Sequence, residues 1–154
     1  MLTMQDMSSE PTVTLGSFEY VSLPQFNMKD IVAKIDTGAY SGAIHCSDIK
    51  VVRRETDNVR VLRFKPSNQQ DKVCEFEKFM TVMVRSSTGH QVKRYIVETD
   101  IIIRQKQYTI RISLSDRSDM QREVLIGRRF LRQYNMLVDV RINQELDNDG
   151  GGKL

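Results

Sequence analysis

The sequence predicts an all-β domain closed into a small barrel, with one short helix near its C-terminal end. Three observations carry that expectation. Apolar residues recur mostly at every second position, as they do on a strand with one buried face. The apolar runs are short and rich in β-branched and aromatic residues, which favour the pleated surface of a sheet. Turn-forming clusters separate them at close intervals, the pattern of a sandwich or barrel rather than of alternating strands and helices.

Taken in chain order, residues 10–24 and Asp30 to Ile35 supply the first strands. Val59-Arg60-Val61-Leu62-Arg63-Phe64 supplies another. Cys74, Phe76, Met80, Val82 and Val84 then occupy alternate positions, with Lys78 as the one exception. Ser86-Ser87-Thr88-Gly89-His90 separates two strand-like runs and reads as a hairpin turn. Ile101-Ile102-Ile103 and the cleanly alternating Tyr108-Thr109-Ile110-Arg111-Ile112-Ser113-Leu114 follow. The helix is expected over Arg128 to Tyr134, directly after Gly127. Residues 1–12 and 143–154 are polar or Gly-rich without periodicity and are expected to be flexible, leaving 13–142 as a single domain without repeat or linker.

Composition narrows the classes of function. The chain has 154 residues, 40% hydrophobic and 28% charged, which suits one soluble globular domain. No apolar run approaches the roughly 20 residues that span a bilayer, and the N-terminal residues lack a basic-then-apolar leader, so no membrane association is expected. Two cysteines, Cys46 and Cys74, are too few for a disulfide framework and point to a reducing, cytoplasmic setting. Lys and Arg number 23 against 20 acids, a net charge of +3. The basic residues are scattered, which is compatible with an acidic partner and is not a nucleic-acid arm. A basic barrel binding nucleic acid would need aromatics among its positive strands, and only Phe64 and Tyr95 qualify.

Chemistry concentrates in Ile31-Val32-Ala33-Lys34-Ile35-Asp36-Thr37-Gly38-Ala39. A mostly apolar strand runs directly into an acid, a hydroxyl residue and a glycine. The strand end fixes Asp36, Thr37 can bond nearby backbone, and Gly38 permits a tight turn and the close approach of another chain segment. A rigidly held carboxylate is what acid–base chemistry requires. On the tripeptide alone a strand-ending turn with Asp as its cap is the favoured reading. A second segment, Glu123-Val124-Leu125-Ile126-Gly127-Arg128-Arg129-Phe130-Leu131, lies some 90 residues later. Two apolar residues, a glycine and a basic helical turn resemble the partner of the Asp-Thr-Gly loop in retropepsin-type aspartic proteases, where the glycine leaves room for a crossing backbone.

The resemblance extends further. Lys34-Ile35-Asp36-Thr37-Gly38-Ala39 with Ser41, Ala43, Ile44 and His45, then Ser86-Ser87-Thr88-Gly89, Arg94-Tyr95-Ile96-Val97-Glu98-Thr99, Leu114-Ser115-Asp116-Arg117-Ser118-Asp119-Met120 and Leu125-Ile126-Gly127-Arg128 are similar to the bacterial retropepsin-like family formerly labelled "ATP-dependent zinc protease". The similarity runs from about Thr14 to Val140. The sequence departs from the family pattern at Tyr40 and Gly42, where a basic residue and Ser are more usual.

The resemblance implies a retropepsin-like closed barrel and an aspartic endopeptidase in which Asp36, Thr37 and Gly38 form the catalytic loop. It also implies a peptide or protein substrate, acidic or glutamate-extended, because members of the family are often found beside ATP-grasp ligases that add glutamates; such a ligase is an expected partner. A non-catalytic peptide-binding or regulatory barrel is the alternative. Ala39, Tyr40 and Arg94 are candidate substrate contacts, although a solvated strand face is the favoured reading of Arg94. Ile126, Gly127 and Arg128 are candidate supports of the loop, with Arg128 expected in an ion pair, drawing on a carboxylate in the 116–119 stretch. The aspartic mechanism needs two carboxylates sharing a proton. One Asp-Thr-Gly supplies one, so a homodimer is expected, with Asp116, Asp119 and Asp139 as competing intrachain partners. Neither metal nor nucleotide is expected. No His-Glu-x-x-His occurs, the adjacent His45 and Cys46 would point to opposite faces of a strand, and no phosphate-binding Gly-x-x-x-x-Gly-Lys-Ser/Thr loop is present.

Overall fold

The structure is a computed structural model and describes residues 12–66, 72–116 and 122–147. In chain order the strands are β1 (Val13–Leu15), β2 (Phe18–Leu23), β3 (Met28–Ile35), β4 (Gly42–Arg53), β5 (Arg60–Pro66), β6 (Cys74–Phe76), β7 (Met80–Arg85), β8 (Gln91–Ile103), β9 (Lys106–Ser115), β10 (Val124–Ile126) and β11 (Met136–Val138). The helix α1 spans Arg128–Gln133, and short 3-10 turns cover Pro24–Phe26 and Gln144–Leu146. Lys78, which broke the alternation, falls between β6 and β7, so the misfit residue marks a real interruption of the strand. Among the described residues no helix is long and apolar enough to cross a membrane.

Six strands close into a ring in the order β10-β3-β2-β8-β9-β4, and β4 returns to β10. The closing strand is three residues long. β10 runs parallel to β3, with Val124 opposite Ala33 and Ile126 opposite Ile35. On its other edge it runs antiparallel to β4, with Leu125 opposite Ala43. Closure leaves no unpaired edge at this point of the sheet. Beyond the barrel, β4 continues outward to pair with β5, and β5 with β6, while the first half of β8 pairs with β7 as a hairpin. The Ser86–His90 segment closes that hairpin, with Gly89 at φ 87° and the Ser86 N–H donating to His90 O at 2.7 Å.

The apolar positions of the alternating runs fill the interior, with Ile44, Cys46, Ile101, Ile112 and Ile126 all without solvent contact. Phe26, Phe64 and Phe76 form one aromatic cluster, with ring centroids 5.2–5.8 Å apart. Phe64 is therefore wholly buried and offers no stacking platform for a base. A second cluster, Tyr108, Phe130 and Tyr134, packs α1 against β9, and the Tyr134 hydroxyl donates to Thr109 O at 3.1 Å.

The turn between β8 and β9 carries no glycine or asparagine. Arg104 and Gln105 both adopt positive φ, 53° and 68°, as a two-residue hairpin of this hand demands. A tertiary contact offsets that local cost. Glu19 is only 4% exposed, and Oε2 accepts from Arg104 Nη2 and from the Gly16 N–H, each at 2.7 Å. Removing the cation leaves a buried carboxylate with one donor, so Arg104→Ala should lower unfolding free energy by about 2 kcal/mol. Urea denaturation with an unchanged m-value would register this, and an unaltered midpoint would refute it.

Candidate active site

Asp36 sits at the end of β3, half-buried, and its position is set from the backbone outward. Its N–H donates to Ile126 O at 2.8 Å, so the closing strand β10 carries the β3 ladder one residue into the loop. The Gly38 N–H donates to Asp36 Oδ1 at 3.0 Å, and the Ala39 N–H to Asp36 O at 3.1 Å. The turn thus has the geometry of an Asp-capped turn, and among the described residues Oδ2 has no hydrogen-bond partner. Among the described residues no second carboxyl group bonds Asp36.

Helix α1 starts without a capping side chain. The first N–H groups of a helix lack intrahelical acceptors and need partners from elsewhere. Here the loop supplies them. The Arg128 N–H donates to Ala39 O at 2.8 Å and the Arg129 N–H to Tyr40 O at 3.0 Å. This crossing requires Gly127 for space rather than for its dihedrals, which are ordinary extended values of −91° and 176°. A Cβ at that position would lie 2.5 Å from Tyr40 O and 2.7 Å from Ser41 O. Gly42, one of the two departures from the family pattern, is similarly confined, since a Cβ there would lie 2.9 Å from Leu125 O.

Among the described residues Arg128 forms no ion pair, and most of the stretch expected to supply its partner lies outside them. Its guanidinium donates to main-chain carbonyls, to Gly38 O at 3.1 Å and Thr37 O at 3.4 Å, and lies over the Tyr40 ring at 5.6 Å from the centroid. An acid after the loop is unnecessary when two carbonyls and an aromatic face receive the cation. Tyr40, the other departure, is half-exposed and contributes that face. Residues 117–121, including Asp119, lie outside the described residues; Asp116 is exposed. Asp139 does not resemble half of a proton-sharing pair. Arg141 donates to both its oxygens at 2.8–2.9 Å, and these bonds, with the Arg141 N–H, hold its carboxyl down to about 2.

The structure separates the three candidate substrate contacts. Ala39 and Tyr40 belong to the loop itself. Arg94 stands on β8, in a recess of about 440 Å³ that also takes in Ser41, Gly42 and Ala43 from the loop side and Arg129 and Phe130 from α1. Sequence reasoning missed Arg129 and Ser113 in that recess, since Ser113 read merely as the polar half of an alternating strand. His45 is half-buried with Nδ1 3.1 Å from Ser115 O, while Cys46 and Cys74 are buried. Burial, then the neighbouring Cys74, pushes the Cys46 thiol far up, so it is an inert core residue. Among the described residues no three of His, Cys, Asp and Glu come together in a metal-binding group.

A closed six-strand barrel, an Asp-Thr-Gly turn and a Gly-containing strand–helix crossing behind it define a retropepsin-type domain. The chain belongs to the RimB-like family, whose model is described as the retropepsin-like aspartic endopeptidase RimB and matches residues 14–145. A probable alpha-L-glutamate ligase of Shewanella pealeana is 26% identical over 123 residues, 78% of this chain and 27% of the relative. One from Desulfotalea psychrophila is 25% identical over 117 residues, 74% of this chain and 25% of the relative. The chain thus spans about a quarter of the length of these curated relatives. The crystal structure of a Legionella pneumophila protein of unknown function superimposes with a TM-score of 0.68 at 27% identity, covering 86% of this chain and 96% of the other.

The crossing behind Asp36 generates a prediction. Because the atoms facing Gly127 are backbone, Gly127→Ala must displace the loop, and it should cost about 1–3 kcal/mol. Amide exchange at Asp36 and Arg128 should accelerate with it. Unchanged exchange at those two positions would mean that the crossing does not hold the loop.

Proposed function

We propose that the protein is a cytoplasmic aspartic endopeptidase acting on acidic or glutamate-extended peptides. The observation that carries the reading is the doubly anchored Asp36, bonded through its own N–H to β10 and through Oδ1 to Gly38, with no partner for Oδ2 among the described residues. In this reading two Asp36 carboxylates from a homodimer share one proton. The ionised one takes a proton from water as that water attacks the scissile carbonyl. The protonated one donates to the carbonyl oxygen, and collapse of the tetrahedral species returns a proton to the departing amine. No covalent acyl-enzyme forms.

Thr37, Arg132 and the 60% exposed Leu137 line one shallow recess beside the loop, and pairing through that face would bring two loops to a common axis. Leu137→Arg should then shift the protein toward monomer in sedimentation and abolish hydrolysis together. The acidic substrate is supported by the unpaired arginines near the loop and by the ligase names of the relatives. The two free cysteines support the reducing compartment.

A second reading has its own observation. The matched relatives are named as ligases and the chain corresponds to only about a quarter of them, which favours a peptide-binding or regulatory barrel partnering an ATP-grasp ligase. Asp36→Asn separates the two. For the peptidase it should lower kcat by at least about 10²–10⁴-fold while leaving peptide affinity nearly intact. Hydrolysis surviving the substitution would sink the aspartic mechanism. Tight peptide binding by a wild type that cleaves nothing between pH 3 and 8 would establish the binding barrel.

A further inference from the structure

We propose that the recess beside the Asp36 loop is a subsite for one glutamate side chain of an extended peptide, read by Arg94, Arg129 and Ser113. The inference rests on the peptide-binding part of the reading above and is independent of whether the peptide is then cut.

The recess lies on the outer face of the barrel wall. Residues opposite one another across an antiparallel pair share a face, and the register places Ile96 opposite Ser113 and Val82 opposite Arg94. Ala43 is paired with Ser113 on the other side of β9. Ile112 and Leu114 point into the core, so Ser113 points outward, yet it is only 5% exposed. Its Oγ is buried and has no hydrogen-bond partner among the described residues. A buried hydroxyl left unpaired costs about 1–3 kcal/mol, which a bound acceptor returns.

The charges around it are equally uncommitted. Three arginines and one glutamate line the recess. Glu98 pairs with Arg111 at 3.5 Å. Among the described residues Arg94 and Arg129 have no ion-pair partner, and they approach from different elements, β8 and α1. Between them the walls are mixed, with Val82, Ile96 and Phe130 supplying apolar surface and Ser41, Thr109 and Gln133 polar groups. The apolar patch, the two guanidinium groups and the unsatisfied hydroxyl together suit a ligand with a short aliphatic stem ending in a carboxylate. Glutamate has that form; glutamine lacks the charge, and aspartate lacks the stem. The Arg129 N–H caps Tyr40 O, so the subsite and the Asp36 loop share one rigid support.

The test uses the full chain with Asp36→Asn, so that no probe is consumed, and fluorescein-labelled hexaglutamate, hexa-aspartate and hexaglutamine followed by anisotropy. Hexaglutamate should bind at least about tenfold more tightly than hexaglutamine, the size of one charge-assisted hydrogen bond. The double variant Arg94→Gln, Arg129→Gln should erase that difference, and Ser113→Ala should weaken hexaglutamate several-fold. Preference over hexa-aspartate should remain in the Lys50→Gln control, which makes a single charge change on an exposed part of β4. The Nε–Hε resonances of Arg94 and Arg129 should move on titration with hexaglutamate. Equal binding of the three probes, an undiminished affinity in the double variant, or an equal loss from Lys50→Gln would each overturn the subsite. If wild type cleaves acidic peptides through Asp36 while the arginine variants keep their kcat/KM, the subsite falls and the peptidase stands. If the arginine-dependent preference holds and wild type cleaves nothing, the subsite stands and the peptidase falls.

Discussion

Everything at the site depends on three residues of chain being hydrogen-bonded on both edges. β10 enters between β3 and β4 and closes the barrel. An inserted strand has no freedom to slide, because a shift of one residue would turn Val124 and Ile126 out of the core and Leu125 into it. Its last carbonyl meets Asp36, and the helix that follows must begin where the loop carbonyls lie. A helix N-terminus without a cap and a loop with unpaired carbonyls each carry unsatisfied polar groups; placed against each other, each satisfies the other. Gly127 is the steric condition of that arrangement.

The charge distribution follows the same logic of commitment. Arg54 and Arg63 are engaged with Asp57, Glu75 and Glu77 on the β4–β5–β6 extension, and Arg104 with buried Glu19. Arg141 holds Asp139, and Arg128 is absorbed by the loop carbonyls. A net charge of +3 is therefore not spread as a stripe for a polyanion. Among the described residues Arg94 and Arg129 have no ion-pair partner and meet over a single recess, and local charge in a partly enclosed space discriminates ligands better than diffuse charge in water does.

Much of this was legible in the residues. Period-two alternation located the barrel strands because each has one face in the core, and Leu-Ile-Gly-Arg marked the crossing because its glycine has a steric reason. Two kinds of feature were not legible. Arg104-Gln105 carries no turn signature, because the positive φ values are stabilised by a partner, Glu19, 85 residues away. Ser113 looked like ordinary strand polarity, because alternation tells which residues face outward and not what later covers them. Arg128 is expected to seek a carboxylate because of its charge, whereas among the described residues it donates to two loop carbonyls.

The same architecture constrains what the domain can do by itself. One Asp36 oxygen accepts from the Gly38 N–H, which restrains the side chain's rotation, and the other has no hydrogen-bond partner among the described residues. A single carboxylate so held can accept a hydrogen bond and orient a water, but it cannot also supply the proton that polarises a carbonyl. Strand β10 closes the barrel behind the loop, where the Asp36 N–H bonds Ile126 O. The peptidase reading needs a second carboxylate to meet Asp36, and the binding reading needs none. One scaffold serves either, because the anchoring of Asp36 and the Arg94–Arg129 recess belong to the same barrel.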